Sequence, residues 1–409
     1  HRLIRRQRQM CIRDSSRREK TEGILLNRRE FLKALLSIGI ASGISLLGLR
    51  RYYQFGSPST EVGTFEETEI DWEHAKEAMF YKSLDGGRTK CELCPRGCIH
   101  EPGERGICRV RKNVNGKLYT LVYGNPCAVH IDPIEKKPLF HFLPGSKTLS
   151  LATAGCSLRC IHCQNWQISQ ASPEETRNYD LPPNRVVQIA KSRGVPVIAY
   201  TYTEPTVFYE YMHDTTLLAR ELGIRNVMIS CGYIREKPLR KLCSILDAIK
   251  IDLKGFTEEF YERIGGASIK PVLESIRTVK KEGNWMEIVN LIIPTLNDDE
   301  EEIRDMVQWI LKEVGDWVPL HFTRFRPAHK LTNVPPTPVK TLERAREIAM
   351  EEGLKFVYVG NVHGHPGEST YCPNCGKPLI LRRGYTILEL NISDGKCNFC
   401  GEEIPGIWS

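Results

Sequence analysis

The sequence lacks a long uninterrupted hydrophobic run. Residues 34–49 form an apolar stretch, but it is only 16 residues long and contains several serines and glycines. A helix that spans a membrane needs about 20 apolar residues. The stretch is therefore too short and too weak to predict a spanning helix by itself, and no Ala-x-Ala cleavage site follows it.

The sequence also lacks an excess of charge over most of its length. The net charge is +7, but residues 1–33 carry 11 basic and 4 acidic residues, and the remainder carries 46 of each. A nucleic-acid-binding protein usually presents a basic surface on its folded domain. The basic patch here is confined to the N-terminus, so it indicates targeting and excludes nucleic acid as a partner.

The N-terminal segment resembles a twin-arginine export signal. Arg28 and Arg29 precede Phe31, Leu32 and Lys33, and the weak apolar stretch follows. This predicts membrane targeting, either as a signal or as an anchor, and leaves open the side of the membrane on which the folded part of the chain lies. An ordinary amphipathic or buried helix is the alternative. The flanking segments are interpreted as an unstructured basic extension (1–26), the signal segment (27–50) and a linker (51–80) with a short helix near 73–81.

Cysteine is abundant, and its spacing is informative. Eleven of the 15 cysteines fall into three close groups, which indicates metal binding better than disulfide bonds. The remaining four receive no ligand role: Cys11, Cys127, Cys231 and Cys243.

The central group has the spacing C-x3-C-x2-C, formed by Cys156, Cys160 and Cys163. Soft thiolates suit zinc or an iron–sulfur cluster, but three are one short of a closed zinc site. A [4Fe–4S] cluster with three cysteine ligands leaves one iron open. This spacing resembles that of the radical SAM superfamily. The resemblance implies that the open iron binds S-adenosylmethionine (SAM) and that reductive cleavage yields a 5′-deoxyadenosyl radical.

The surrounding pattern predicts an α/β fold, a partial (β/α)6-type TIM barrel over residues 145–365. Apolar segments alternate with amphipathic ones, as in a parallel sheet built from βα units. The chemistry of such barrels lies at the carboxyl ends of the strands, and the cysteine loop follows the first strand. The predicted strands are 149–153, 197–202, 226–230, 248–253, 286–293, 320–325 and 356–359. The predicted helices are 186–193, 207–222, 238–246, 272–281, 300–313 and 342–352.

The resemblance also implies SAM contacts at successive strand ends. Residues 203–205 stand where the family has Gly-Gly-Glu, which holds the methionine ammonium group. Asp252 and Lys254 lie on one side of a strand by its period of two, and they suit a ribose hydroxyl and the methionine carboxylate. The expected cofactor-binding residues are Thr203, Glu204, Pro205, Ser230, Gly232, Asp252, Lys254, Asn290 and His329. No catalytic residue is expected beyond the cluster and SAM.

Two further cysteine groups flank the barrel. The N-terminal module (81–144) is expected to bind zinc or an auxiliary iron–sulfur cluster, with a redox disulfide as the alternative. The C-terminal module (366–409) is predicted to be a zinc ribbon, with a rubredoxin-type iron as the rival. The ligands are Cys91, Cys94, Cys98 and Cys108 in the first module and Cys372, Cys375, Cys397 and Cys400 in the second.

The whole arrangement over residues 88–405 resembles the radical SAM enzyme of the AmmeMemoRadiSam system, which is related to pyruvate formate-lyase activating enzymes. This implies a low-potential electron donor and functional association with partner proteins of that system. The substrate stays open, and a partner protein is one expectation. The alternatives are a glycyl-radical-enzyme activating enzyme and a non-catalytic iron–sulfur or zinc protein that serves as an electron carrier or scaffold.

Overall fold

The structure is a computed structural model, and it describes residues 71–409. The predicted extension 1–26, the export-signal segment 27–50 and most of the predicted linker lie outside the described residues. Among residues 71–409, no helix combines the length and the apolar character needed to cross a membrane.

Two small antiparallel sheets form the N-terminal module, with strand orders β1-β6-β5 and β2-β3-β4. The strands are β1 (Lys76–Glu77), β2 (Tyr81–Ser83), β3 (Thr89–Cys91), β4 (Ile99–His100), β5 (Arg111–Val114) and β6 (Lys117–Thr120). The predicted short helix near 73–81 is wrong. Lys76 and Glu77 instead pair with Thr120 and Tyr119, because tertiary pairing overrides the weak local preference of this segment.

The central sheet has eight strands in the order β14-β13-β12-β11-β10-β9-β8-β7. The seven strands from β8 to β14 are parallel, and β7 pairs with β8 in the antiparallel sense. The strands are β7 (Ala128–Pro133), β8 (Lys147–Ala152), β9 (Val197–Tyr200), β10 (Arg225–Ser230), β11 (Ala248–Asp252), β12 (Trp285–Ile292), β13 (Leu320–Arg324) and β14 (Val357–Gly360). Each parallel strand coincides with a predicted one, within a few residues at either end.

Helices connect the parallel strands and cover the outer face of the sheet. They are α1 (Trp166–Ser169), α2 (Pro183–Ser192), α3 (Tyr209–Glu221), α4 (Glu236–Cys243), α5 (Glu258–Phe260), α6 (Lys270–Glu282), α7 (Glu300–Glu313) and α8 (Val339–Glu351). Six βα crossovers therefore link seven strands into an open barrel, as the sequence predicts. Asp299 caps α7 by accepting hydrogen bonds from the backbone of Glu301 and Glu302.

The segment that follows β7 closes the amino end of the barrel. Ile134, Leu139 and Phe142 pack against Val197 and Ala248, which begin β9 and β11. The C-terminal module covers the same end, since Leu143 donates a backbone hydrogen bond of 2.7 Å to Ile407. The open end of the barrel is therefore the one at which the parallel strands terminate.

The C-terminal module consists of short strands. They are β15 (Thr370–Tyr371), β16 (Pro378–Arg383), β17 (Thr386–Leu390), β18 (Ile392–Ser393) and β19 (Lys396–Cys397). The hairpin of β16 and β17 separates Cys375 from Cys397 along the chain. Arg382 is buried and donates a hydrogen bond of 2.7 Å to the carbonyl of Phe140, which anchors the module to the barrel.

Candidate functional site at the carboxyl ends of the strands

The cysteine loop leaves β8 and crosses the open end of the barrel. Its backbone pairs with the helical segment Tyr261–Gly265, because Arg159 and Ile161 donate to the carbonyls of Gly265 and Ile264 at 2.8 and 3.0 Å. The carbonyl of Ile161 in turn accepts from the backbone of Leu331 at 3.0 Å. The loop is thus fixed by two other strand-end loops of the barrel.

Of the three central cysteines, Cys160 is buried, and Cys156 and Cys163 are half-buried. Burial, reinforced by the charge of Glu204, raises the pKa of Cys156 well above its ordinary value. Burial also raises the pKa of Cys160 to about 11. Cys163 Sγ lies 3.2 Å from the hydroxyl of Ser169. Because a metal requires thiolates, binding at this loop must release protons.

Glu204 is the best-fixed polar residue of the site. It is 3% exposed, and its Oε1 accepts from the backbone of Thr206 at 3.1 Å and from two hydroxyls, those of Thr206 at 2.6 Å and Ser230 at 2.7 Å. Its Oε2 accepts a single bond of 2.8 Å from the backbone of Cys231. A carboxylate oxygen accepts more than one bond, so Oε2 retains capacity for a ligand cation.

The other expected residues of the second and third strand ends serve this arrangement. Thr203 bonds the carbonyl of Thr153 at 2.9 Å, and Pro205 starts the turn after Glu204. The hydroxyl of Ser230 is used by Glu204 and also accepts from the backbone of Gly232 at 2.9 Å. Gly232 has φ of 69°, and a Cβ there would lie 3.0 Å from Ile251. In this structure these four residues position Glu204.

The fourth strand end holds a charged triplet. Lys250 and Lys254 both contact the carboxylate of Asp252, with 3.3 Å between Lys254 Nζ and Oδ2. Burial opposes the charge on Asp252, but the two lysines outweigh burial and lower its pKa to about 2. Burial likewise disfavours the ammonium of Lys254, and Asp252 outweighs it, so that its pKa is raised. Asp252 and Lys254 are therefore both charged at neutral pH.

The sequence prediction did not single out Lys250. It is 4% exposed, and it was detectable because the same period of two that aligns Asp252 with Lys254 also aligns Lys250. A second buried group, Asp132 of β7, was also missed. Its carboxylate accepts from Lys137 at 2.7 Å and from the hydroxyl of Tyr202. That group depends on the antiparallel strand β7, which the periodicity did not reveal in full.

The last two expected residues differ in placement. His329 stacks on Trp166 with 5.2 Å between ring centroids, next to the cysteine loop. The structure does not bring Asn290 to the charged triplet. Its amide nitrogen donates to the carbonyl of Leu253 at 2.8 Å and contacts the sulfur of Met306 on α7, on the helix side of the sheet.

The donors at the open end fit an iron–sulfur cluster and SAM. Three soft thiols stand in one loop, a carboxylate with spare accepting capacity lies beside them, and an ammonium–carboxylate pair occurs at the fourth strand end. Thiolates suit iron, while the carboxylate and the ammonium suit the opposite charges of an amino acid.

Comparison with known proteins decides the family. A sequence model of the Radical SAM superfamily matches residues 150–310. An uncharacterized protein of Methanocaldococcus jannaschii is 50% identical over 331 residues, which cover 80% of this chain and 98% of that protein. The chain belongs to the radical SAM superfamily. The resemblance of the sequence to this superfamily is thereby confirmed, and this radical SAM protein is a SAM-cleaving enzyme.

Two further relatives extend the comparison of this radical SAM enzyme. The pyruvate formate-lyase 1-activating enzyme of Escherichia coli K12 is 22% identical over 222 residues, covering 50% of this chain and 89% of that enzyme. Streptococcus suis SuiB bound to precursor peptide SuiA aligns with a TM-score of 0.44 and 16% identity, over 56% of this chain and 52% of that chain. The sequence match to the Escherichia coli protein makes this enzyme homologous to the activating enzymes.

The flanking cysteine groups have different geometries. In the C-terminal module, Sγ of Cys372 lies 3.6 Å from that of Cys400, and Sγ of Cys375 lies 3.8 Å from that of Cys397. All four sulfurs lie within 4.8 Å of one another. In the N-terminal module the four thiols surround one cavity. All cysteines of residues 71–409 are free thiols.

Proposed function

We propose that this enzyme uses reductive cleavage of SAM to remove a hydrogen atom from a substrate held at the open end of the barrel. The observation that carries the proposal is the convergence of three strand-end features. These are the buried cysteine loop, the fixed carboxylate of Glu204, and the pair of Asp252 and Lys254. Their charges complement the methionine part of SAM.

Each group of the chain has a distinct task. Cys156, Cys160 and Cys163 would hold a [4Fe–4S] cluster, which with bound SAM supplies the electron and the 5′-deoxyadenosyl radical. Glu204 would accept the methionine ammonium through Oε2. Lys254 would bind the carboxylate, and Asp252 would accept a ribose hydroxyl.

Residues beyond SAM would shape the substrate site. The rings of Trp166 and His329 border the cysteine loop, and Trp166 is 41% exposed. Because the amino end of the barrel is filled by Ile134 and Phe142, a substrate would enter past this rim. An aromatic rim suits a peptide segment, since aromatic side chains dominate protein–protein contacts.

We propose a partner protein of the AmmeMemoRadiSam system as the substrate, and a low-potential electron donor as the second partner. A glycyl-radical enzyme is the alternative substrate, and the homology to the activating enzymes supports this alternative. The non-catalytic alternative is disfavoured by the intact cysteine triad and the charged triplet.

The C-terminal module is proposed to bind one zinc ion. With Zn–S distances of about 2.3 Å, a tetrahedral site places its sulfurs about 3.8 Å apart. The separations of 3.6 and 3.8 Å between the thiols of this module are close to that value. For the N-terminal module, zinc and an auxiliary cluster are both compatible with four thiols.

The decisive experiment is anaerobic incubation of the full chain with SAM and dithionite. Wild-type protein and Cys127→Ala, which alters a thiol outside the three groups, should form 5′-deoxyadenosine. Cys160→Ala should lose this product together with the absorbance of its cluster. Formation of 5′-deoxyadenosine by the Cys160→Ala variant would refute the site, and its absence from wild-type protein would favour the non-catalytic alternative. Deuterium transfer from a labelled partner protein into 5′-deoxyadenosine would identify the substrate.

We also propose membrane targeting through Arg28 and Arg29. A reporter that is active only after folded export, fused behind residues 10–60, should depend on this pair, and changing both to Lys should abolish export. Equal export with the lysine pair would leave the segment as an ordinary N-terminal helix.

A further inference from the structure

The N-terminal module surrounds a small cavity with sulfur. Cys91 ends β3, the next two cysteines lie in the loop that follows, and Cys108 precedes β5. The cavity is also lined by His100, Arg111 and Ser157. The four thiols are Cys91, Cys94, Cys98 and Cys108. One cavity therefore collects all four cysteines of this group.

The spacing of these thiols can be compared with that of the two other cysteine groups of the chain. The C-terminal thiols are the proposed ligands of a single ion. Within residues 71–409, they are the one set of Cys, His and acidic ligand atoms that all lie within 4.8 Å of one another. The thiols of the central triad are the proposed ligands of a cluster, and they do not all lie within 4.8 Å of one another. The N-terminal thiols do not meet this limit either. Their spacing therefore resembles that of cluster ligands, because thiolates bound to separate irons of a cluster lie farther apart than thiolates bound to one ion.

A buried donor points to the same conclusion. Nε of Arg111 is buried and has no hydrogen-bond partner in the protein, while the imidazole of His100 donates from Nδ1 to the carbonyl of Thr89. A Cβ placed on Gly106 would lie 2.7 Å from Nε2 of His100 and 3.6 Å from Sγ of Cys98. A four-iron cluster carries inorganic sulfides that accept such N–H groups, whereas a single zinc ion adds no acceptor.

Arg111 adds positive charge and a direct contact. Its NH1 lies 3.8 Å from Sγ of Cys91, and its guanidinium also pairs with Glu210. The arginine and the glutamate are each 1% exposed. A buried guanidinium beside four thiolates offsets part of their negative charge, and N–H···S contacts stabilise the reduced form of a cluster.

We propose that Cys91, Cys94, Cys98 and Cys108 bind a second [4Fe–4S] cluster, with Arg111 as a hydrogen-bond donor to its sulfurs. This cluster is separate from that of the central triad and goes beyond the proposed SAM chemistry. The two sites share a wall, since Ser157 of the cysteine loop lines the cavity and its carbonyl accepts a bond of 2.9 Å from Arg96.

The first test is elemental analysis of the anaerobically reconstituted full chain. We expect roughly eight iron atoms and eight sulfides per chain in wild-type protein. Cys98→Ala should fall to about four of each, as should Cys160→Ala, while Cys127→Ala should retain about eight. About four irons and two zinc ions in wild-type protein would overturn the proposal in favour of zinc. About four irons without added zinc would overturn it entirely.

The second test uses electron paramagnetic resonance of dithionite-reduced protein and does not depend on turnover. We expect two signals in wild-type protein. Added SAM should alter the signal that is missing in Cys160→Ala and leave unchanged the signal that is missing in Cys98→Ala. A single signal in wild-type protein would overturn the second cluster without affecting the SAM site.

A third measurement keeps the proposal testable if Cys98→Ala does not fold. Arg111→Lys retains all four thiolates and the positive charge, so its iron content should equal that of wild-type protein. Loss of the guanidinium N–H groups should shift the reduction potential of the SAM-insensitive signal to a more negative value. An unchanged potential for that signal would overturn the role of Arg111.

Discussion

Gly155 of the cysteine loop lies directly against Cys108 of the N-terminal module: a Cβ added to Gly155 would be 2.4 Å from the Cys108 carbonyl oxygen. The same Cβ would lie 2.6 Å from Cγ1 of Val110. The residue that precedes Cys156 is therefore in contact with a cysteine of the N-terminal module. The two cysteine groups form one continuous structure.

This contact predicts that Gly155→Ala is destabilising. The new methyl group clashes with backbone, and φ of 92° is unfavourable for any residue with a Cβ. We expect a loss of about 2 kcal/mol or more of stability, and faster proteolysis of the N-terminal module. Gly194→Ala is the matched control, because Gly194 also has a positive φ but has open space around it. Equal stability of the two variants would contradict the proposed tight contact.

Asp252→Asn should weaken SAM binding. The substitution leaves Lys250 and Lys254 without their shared counter-charge and removes a charged acceptor for the ribose. We expect affinity for SAM to fall about tenfold, which equals about 1.4 kcal/mol, measured by equilibrium dialysis with the reconstituted enzyme. Glu236→Gln, on the exposed start of α4, should bind SAM as wild-type protein does. Unaltered affinity in a folded Asp252→Asn protein would remove this residue from the SAM site.

Zinc removal should loosen the C-terminal module and spare the barrel. Chelation is expected to release about one zinc ion per chain and to open the β16–β17 hairpin region to protease. Cys375→Ser should have the same effect without chelator, because it disrupts the pair with Cys397. Release of iron, or of no metal, from the Cys-intact module would contradict the zinc assignment.

His141 predicts a loss of stability in mild acid. Burial lowers its pKa to about 4, against the attraction of Glu287. At pH 7 the imidazole is neutral in the folded and unfolded states. As the pH falls from about 6.5 toward 4, the unfolded chain takes up a proton that the folded chain does not, so stability decreases.

The loss attributable to His141 should reach up to about 2 kcal/mol at pH 5. It is measured as the change in apparent unfolding temperature between pH 7 and pH 5. His141→Gln should show a smaller change than wild-type protein, whereas His130→Gln, an exposed position on β7, should behave as wild type. Parallel pH profiles for His141→Gln and wild-type protein would contradict this account.

The parallel strands were predictable because their residues are apolar on both faces. β9, for example, is Val-Ile-Ala-Tyr and entirely buried, so its apolar run is continuous. β7 was missed in part because His130 and Asp132 interrupt its apolar pattern. This strand exists through its pairing with β8, a long-range contact that local periodicity does not report.

The parts of the candidate site that depend on the spacing of residues along the chain were predictable. Cysteine spacing gives the loop, and period two gives Asp252 and Lys254. The hydrogen-bond partners of the polar residues could not be predicted in this way. Ser230 donates to Glu204, and Asn290 contacts Met306. Which face a polar residue presents depends on strand register and on the helix packed against it, and neither can be derived from a motif.

The closure of the barrel by the C-terminal module has a consequence for synthesis. His141 bonds to the carbonyl of Pro405, 264 residues later in the chain, and Trp408 packs beside the same imidazole. A nascent chain cannot cover the amino end of its barrel until residues 405–408 have left the ribosome. Until then Ile134 and Phe142 lack the contact with Ile407. Replacing residues 405–408 by a flexible Gly-Ser segment should therefore leave a barrel that is less stable and depends on chaperones, although its cysteine loop is complete.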